Sequence, residues 1–466
     1  MGYKRAFVVD TSEIEGRLDP FYYKQEFLEL ESKIKKLNPL KLKDYIVKIS
    51  SGSTPNRKEE DKYYSDKQNG IPFLRVQNLS STGLLKLDNC KYINEETHNN
   101  YLKRSQVHEG DLLVKITGVG RMAVACVAPK NFVGNTNQHL VVIKTKNKET
   151  SKLLATYLNT DIGEMLAHRR ATGGTRPALD YKALKSIPII DNDEIITIME
   201  KAHKIKKEKE NQAKELLVSI DEYLLDKLDI TLPKKEKIVS FEVNSSEVFG
   251  SRFDPFYYKK EFLELESQIE KNFGFMKLKK LTLKVTDGSH HSPKNTMELE
   301  KNFVTVKDLT HFGDLDLINC YKISKEDFAI LAKNGCQPLP NDILFSKDGT
   351  IGKVYTVTDN NDFVVLSSLA ILRPNRELIY PKYFEYILQS NITILFVERL
   401  MSGSALRRII LDGIKNLKIP LPPLAIQNEI SSHIQSLREE AKLLKKEAKE
   451  VLKSAKDEVE KIILGE

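Results

Sequence analysis

No stretch of this sequence strings together the 18 or more apolar residues that a membrane-spanning helix needs, so no bilayer span is expected. The opening Met1-Gly2-Tyr3-Lys4-Arg5-Ala6 lacks the apolar core of a secretory signal. Cysteine is scarce. Cys90, Cys126, Cys320 and Cys336 lie far apart and none forms a Cys-x-x-Cys pair, which excludes the redox and structural-zinc patterns built on that spacing. No Gly-x-Gly-x-x-Gly turn follows a strand-like run, so no dinucleotide-type cofactor fold is expected. These absences point to a reduced, cytoplasmic protein with no cofactor or metal of its own. Excess charge is also small. The 73 Lys and Arg against 65 Asp and Glu leave a net +8, so the placement of positive charge matters more than its amount.

What the sequence does have is a duplication. Arg17-Leu-Asp-Pro-Phe-Tyr-Tyr-Lys-Gln-Glu-Phe-Leu-Glu-Leu-Glu-Ser-Lys-Ile34 recurs as Arg252-Phe-Asp-Pro-Phe-Tyr-Tyr-Lys-Lys-Glu-Phe-Leu-Glu-Leu-Glu-Ser-Gln-Ile269, with 15 of 18 positions identical at an offset of 235. Weaker echoes follow in the same order: Gly52-Ser53 with Gly288-Ser289, Phe73 with Phe303, Asn89-Cys90 with Asn319-Cys320, Asp111 with Asp342, and Ile187-Pro188 with Ile419-Pro420. A period this long means two whole domains rather than a solenoid. A chain of 466 residues, 40% hydrophobic and 30% charged, has room for two to four folded domains.

Each copy divides in two. Residues 1–190 and 233–421 read as mixed α/β, with strand-like runs such as Leu112–Ile116, Leu140–Ile143 and Val364–Leu366 between Gly, Pro, Asn and Asp turns. Residues 191–232 and 422–466 read as long helices. Ile195, Met199 and Ala202, then Ile220, Leu224 and Leu228, mark the first seam, with Asp193 as N-cap and Pro233 as stop. Ile430, Ile434, Leu437, Ala441 and Leu444, continuing to Val459 and Ile462, mark the second. The run Lys204-Ile-Lys-Lys-Glu-Lys-Glu210 weakens the first seam. The expected fold is α+β: two mixed α/β domains separated by two long helices paired as an antiparallel coiled coil, a pseudo-two-fold internal repeat. Two similar heads held apart by rods suit a DNA duplex, whose helical turn is about 34 Å.

Asp-Pro-Phe-Tyr-Tyr near the start of each copy, Ser219-Ile-Asp-Glu-Tyr-Leu-Leu-Asp-Lys-Leu-Asp229, Asn341-Asp-Ile-Leu-Phe-Ser-Lys-Asp-Gly-Thr-Ile-Gly-Lys353 and Ile419-Pro-Leu-Pro-Pro-Leu-Ala-Ile-Gln-Asn-Glu-Ile430 form an ordered set. In it the chain resembles, over essentially its whole length, the specificity subunit of type I restriction-modification systems. The resemblance implies that 1–190 and 233–421 are target-recognition domains, each reading a few base pairs of a bipartite, asymmetric double-stranded DNA target. It implies that the helical regions 191–232 and 422–466 fix the gap and dock two methyltransferase subunits. Those partners would carry S-adenosylmethionine and methylate adenine, restriction subunits could join them, and this chain would be non-catalytic. Other readings stay open: a related system whose partner is one fused methyltransferase-nuclease, a coiled-coil scaffold with two protein-binding heads, or a stand-alone enzyme.

For DNA contact the sequence offers polar and basic loops. In the first domain these are Ser53 and Thr54; Arg75, Gln77 and Asn78; Arg121; Asn137, Gln138 and His139; and Arg169, Arg170, Thr172, Gly173, Gly174, Thr175 and Arg176. In the second they are Ser289, His290 and His291; Lys307; Lys347; Lys353; Ser367 and Ser368; and Ser402, Gly403, Ser404, Arg407 and Arg408. Arg suits guanine O6 and N7, and Asn or Gln suits adenine N6 and N7.

Other motifs read as structure. Asp19-Pro20-Phe21-Tyr22 and Asp254-Pro255-Phe256-Tyr257 superficially resemble the Asp-Pro-Pro-Tyr loop of amino-methyltransferases. Without a cofactor fold beside them they read as turns packing aromatic rings on the helical spacer. Gly349-Thr350-Ile351-Gly352-Lys353 lacks phosphate-loop spacing and reads as a turn, with Lys353 available to a DNA phosphate. Glu31-Ser32-Lys33 reads as a solvated helix face, because Gln268 replaces the lysine in the second copy. His290-His291 has no further ligand at metal spacing. Cys90 and Cys320 read as small core residues.

Overall fold

The computed structural model describes residues 8–10, 14–234, 240, 242–243, 248, 253–293, 301–310, 314–358, 362–401 and 408–466, the Arg57 side chain excepted. The candidates Ser402, Gly403, Ser404 and Arg407, and Arg252 of the second repeat motif, lie outside the described residues. The chain forms two compact units, Met1–Glu210 with Lys445–Glu466, and Asn211–Leu444. The long helices are therefore not domains of their own; each contributes one segment to each unit.

In unit 1, strands β1 (Lys48–Ser51), β3 (Leu112–Lys115), β4 (Ala125–Val127) and β6 (Leu140–Lys144) form an antiparallel sheet in the order β1-β6-β3-β4. Strands β2 (Ile71–Leu74) and β5 (Val133–Thr136) pair in parallel at the centre of a second sheet of five strands. The apolar run Leu112-Leu113-Val114 is unbroken because both faces of β3 are covered. Leu112 and Val114 join the helices in one core cluster, whereas Leu113 joins Leu74 and Val107 in another. Helices α1 (Gln25–Lys35), α2 (Lys148–Leu158) and α3 (Asp161–Arg170) belong to the first of these faces.

Unit 2 repeats this order with α5 (Lys260–Asn272), β7 (Thr282–Asp287), β8 (Lys301–Val304), β9 (Ile343–Ser346), β10 (Val354–Thr356), β11 (Phe363–Val365), β12 (Leu369–Pro374), α6 (Pro381–Gln389) and α7 (Asn391–Leu400). Its main sheet runs β7-β12-β9-β10, and β8 pairs in parallel with β11. Ile343 and Phe345 face one cluster and Leu344 the other, the same alternation as in β3.

The long helices are α4 (Glu194–Lys227) and α8 (Leu424–Leu464). The chain leaves α4 through Asp229, whose φ of 51° is left-handed, four residues ahead of the proline stop. In unit 1, Ile195, Met199 and Ala202 of α4 share a core with Leu452, Ala455, Val459 and Ile463 of α8. Here Lys209 Nζ lies 2.7 Å from Glu447, and His203 feels the charge of Lys456, so the two segments run antiparallel. An open groove of about 570 Å³, lined by Ile198, Ile205, Lys209, Glu447 and Val451, lies where the Lys204–Glu210 run dilutes the seam. In unit 2, Leu224 and Leu228 pack in one core with Ile430 and Ile434. The Tyr223 and His433 rings meet at 4.0 Å, and Lys227 reaches Glu429 at 2.5 Å, again antiparallel.

The duplicated motif builds a buried knot. Asp19 caps a single turn, Pro20–Tyr23, by accepting from the Tyr22 amide at 3.1 Å, and Asp254 does the same for Tyr257 at 3.0 Å. Behind the turn Glu31 is 4% exposed, 2.5 Å from both Arg169 and Arg170. Arg169 donates from Nε to the Tyr22 carbonyl at 2.9 Å and lies 4.0 Å from the centre of the Tyr22 ring. Two expectations are corrected here. Glu31 is not on a solvated face, because α1 turns it inward beside Phe27, Leu30 and Ile34. The aromatic turn packs on α1 and α3 rather than on the long helices: Phe21 meets Phe27 and His168.

Candidate nucleic-acid interface

In unit 1 the strand register brings several loops to one end of the main sheet. Ser51 pairs with Val141, Lys115 with Leu140, and Val114 with Ala125. The segments Gly52–Thr54, Ile116–Val124 and Asn137–His139 therefore leave the sheet at the same edge. Parallel pairing of Leu74 with Thr136 brings Arg75–Asn78 alongside, and the Asn137 amide donates to the Leu74 carbonyl at 3.2 Å. The hairpin Thr172–Ala178 joins the group: Ala178 bridges both Thr172 and Thr117, and the Gly118 amide donates to the Pro177 carbonyl at 3.1 Å. Gly52 makes the packing possible, since a Cβ there would sit 1.6 Å from the Thr136 carbonyl oxygen.

Unit 2 builds the same edge. Asp287 pairs with Ala370 and Ser346 with Leu369, so Gly288–His291, Lys347–Lys353 and Leu366–Ser368 emerge together. Lys307 follows β8 in parallel register with β11, and the Leu366 amide donates to the Val304 carbonyl at 3.0 Å. Arg408 bridges Asp348. Gly288 matches Gly52: its Cβ would lie 2.3 Å from the Val365 carbonyl oxygen.

Within these clusters the expected residues separate by exposure. Thr54, Gln77, Gln138 and Thr172 through Arg176 are exposed in unit 1, as are His290, His291, Lys307 and Arg408 in unit 2. Ser53, Arg75, His139, Lys353, Ser367 and Ser368 are half-buried. Others are committed to internal contacts. Asn78 accepts from the Arg75 amide and donates to the Lys86 carbonyl, and Asn137 accepts from the His139 amide. Arg121 is tied to Asp161 and Glu164, both at 2.8 Å. Arg169 and Arg170 sit in the knot, and Ser289 Oγ donates to the His291 carbonyl. Lys347 is buried 3.5 Å from both Asp287 and Asp348, and Lys353 Nζ donates to the Val306 and Leu309 carbonyls. For Asn78, Asn137, Arg121, Arg169, Arg170, Ser289 and Lys347 the expectation of base or phosphate contact is corrected: burial or internal pairing removes their donors from the surface.

Some neighbours went unnoticed in the sequence. Arg104 is exposed and reaches the Gly52 carbonyl at 3.5 Å. Buried Lys115 fixes the β3–β4 turn by donating to the Val119 and Arg121 carbonyls, both at 2.8 Å, and burial lowers its pKa. Asp287 stands where unit 1 has Ser51; burial pushes its carboxyl up against the pull of Lys347. Among the described residues no three His, Cys, Asp or Glu side chains gather as metal ligands, and no helix is long and apolar enough to cross a membrane.

The chain is 33% identical over 132 residues to a protein described as the type I restriction enzyme MjaX specificity subunit of Methanocaldococcus jannaschii, covering 27% of this chain and 28% of that one. It is 27% identical over 125 residues to the type I restriction enzyme EcoBI specificity subunit of Escherichia coli, covering 27% and 26%. The matched stretches thus span about a quarter of either relative's length. A crystal structure of the S subunit of a type I restriction-modification system from M. genitalium superposes with a TM-score of 0.39 at 12% identity, over 91% of this chain and 95% of that one. The profile of the type I restriction modification DNA specificity domain matches residues 34–215 and again 294–454, more than half of the chain, and the chain therefore belongs to the type I restriction-modification DNA specificity family.

Proposed function

We propose that this chain is the DNA sequence-specificity subunit of a type I restriction-modification complex and reads a bipartite, asymmetric target. The observation that carries this is the paired loop cluster: the same sheet edge, closed by the same glycine, presents Thr54, Gln77, Gln138 and Arg176 in unit 1 but His290, Lys307 and Arg408 in unit 2. One scaffold bearing two surface chemistries suits two unlike half-targets. Side chains such as Arg176 and Gln138 match the base-edge pattern of the major groove, while Lys and Arg supply phosphate contacts that weaken with salt.

On this reading the chain is non-catalytic. Two methyltransferase subunits carry S-adenosylmethionine and methylate adenine in the target, and restriction subunits join them in the cytoplasm. The long helices, each shared by both units, fix the gap between the half-targets. Mapping methylated motifs in the host genome with and without this gene tests the proposal. A split motif that disappears with the gene is the expected result; an unchanged methylome overturns it.

A further inference from the structure

The exposed hairpin Thr172–Ala178 carries Arg176, and its two legs are held differently. The Pro177–Leu179 leg is stitched to the β3–β4 loop: Gly118 donates to Pro177, and the Leu179 amide donates to the Ile116 carbonyl at 2.8 Å. The Arg170–Ala171 leg is held by a side chain 153 residues away. Arg17 donates from Nη1 to the Arg170 carbonyl at 3.0 Å and from Nη2 to the Ala171 carbonyl at 3.4 Å. The guanidinium is itself fixed. Its Nε donates to Asp19 at 2.8 Å, and it lies 4.7 Å from the centre of the Tyr22 ring, which also receives Arg169. The two carbonyls it holds belong to the last residue of α3 and the residue after it, where Glu31 already grips Arg170. Between the legs, Gly173 takes a left-handed φ of 95°, which fixes the direction of the tip.

We propose that Arg17 is a positioning residue for base recognition by unit 1: it ties the inner leg of the Thr172–Ala178 hairpin to the Asp19–Tyr22 turn, so that discrimination by Arg176 depends on it. This rests on the DNA-specificity reading above. A pre-set hairpin spends little binding energy on ordering, and a shift of about 1 Å at its base displaces the Arg176 fork from a bidentate contact.

The test uses the full chain assembled with its methyltransferase partner and duplexes altered one base pair at a time in either half of the motif. R176A identifies the half-target that unit 1 reads. R17A is expected to lower discrimination there about tenfold and to leave the other half and low-salt nonspecific affinity as in wild type. R17K, which keeps the charge on a single donor nitrogen, recovers part of the loss. In the R17A/R176A double variant the losses are expected not to add, because both act through one contact. Additive losses, equal losses in both halves, or wild-type discrimination in R17A overturn the proposal, as does an R176A that changes neither half. Should R17A fail to assemble, R17K decides alone, by a loss confined to the half set by R176A or by none. If the wild-type complex shows no sequence preference, the specificity reading itself fails, an outcome distinct from these.

Discussion

Units 1 and 2 hold the same carboxylate of the repeat, buried in unit 1 and half-buried in unit 2, with different cations. Glu31 meets Arg169 and Arg170; Glu266, at the same place in the repeat, meets Arg399 at 2.6 Å and Lys418 at 2.8 Å. Arg399 repeats Arg169 closely, with Nε on the Tyr257 carbonyl at 2.8 Å and the ring centre 4.1 Å away. The second cation has moved. Leu400 stands where unit 1 has Arg170, and Lys418 stands where unit 1 has Ser186, the residue that Arg170 Nε contacts at 3.0 Å. What duplication preserved is the charge balance inside the fold, not each residue that supplies it. At the loop edge the opposite happened. Ser51, Ile116 and Thr117 of unit 1 correspond to Asp287, Lys347 and Asp348 at the matching strand ends of unit 2, while Lys115 corresponds to Ser346, so the charged groups of the rim differ in place and in sign between the copies.

The comparison can be broken most severely by deleting residues 445–466. This strips Leu452, Val459 and Ile463 from the core of unit 1 and nothing from the core of unit 2. At about 2–5 kcal/mol for each large buried side chain, the loss exceeds what one domain can spare. Hydrogen exchange is expected to show unit 1 peptides unprotected and those of unit 2 still protected; equal loss in both would contradict the division.

Next in size is E31A, which leaves two buried guanidiniums without their counter-ion and is expected to cost about 3–5 kcal/mol by denaturant unfolding. E266A should cost less, because Lys418 is 27% exposed where Arg170 is 7% exposed. The reverse order would sink the idea that burial sets the difference. Smaller still, K418S should cost about 1–2 kcal/mol, and adding L400R should recover most of it by rebuilding the unit 1 pattern.

The smallest effect is in pH. Burial, then Lys206 and Lys456, holds the His203 imidazole below its ordinary value of 6.5. The folded chain binds this proton less readily than the unfolded chain. The resulting stability is present above about pH 6.5 and declines as the pH falls through that value. H203Q is expected to flatten that decline for unit 1 peptides and leave those of unit 2 unchanged.

The duplication and the long helices were legible because both are periodic signals: an identity at fixed offset, and apolar residues at helical steps that the structure places in Glu194–Lys227 and Leu424–Leu464. The loop edge was half legible. The echo of Gly52 in Gly288 marked it, since close backbone approach leaves glycine as the only fit. What the sequence hid was pairing at a distance. Glu31 looks like any surface glutamate until α3 brings two arginines to it, and Asn78, Asn137 and Arg121 carry groups that suit DNA equally well whether they face solvent or a neighbouring backbone. Residue type states what a group can bond, not which bond it has already made.

Sharing α8 between the units has a consequence for biosynthesis. Residues up to Glu210 emerge from the ribosome long before Leu452, Val459 and Ile463, which close their core, and 234 residues of the other unit are translated in between. At roughly 5–20 residues per second the nascent amino-terminal half waits on the order of tens of seconds with Ile195 and Met199 uncovered. The unit translated in the middle can complete itself first, so the order of maturation runs against the order of synthesis.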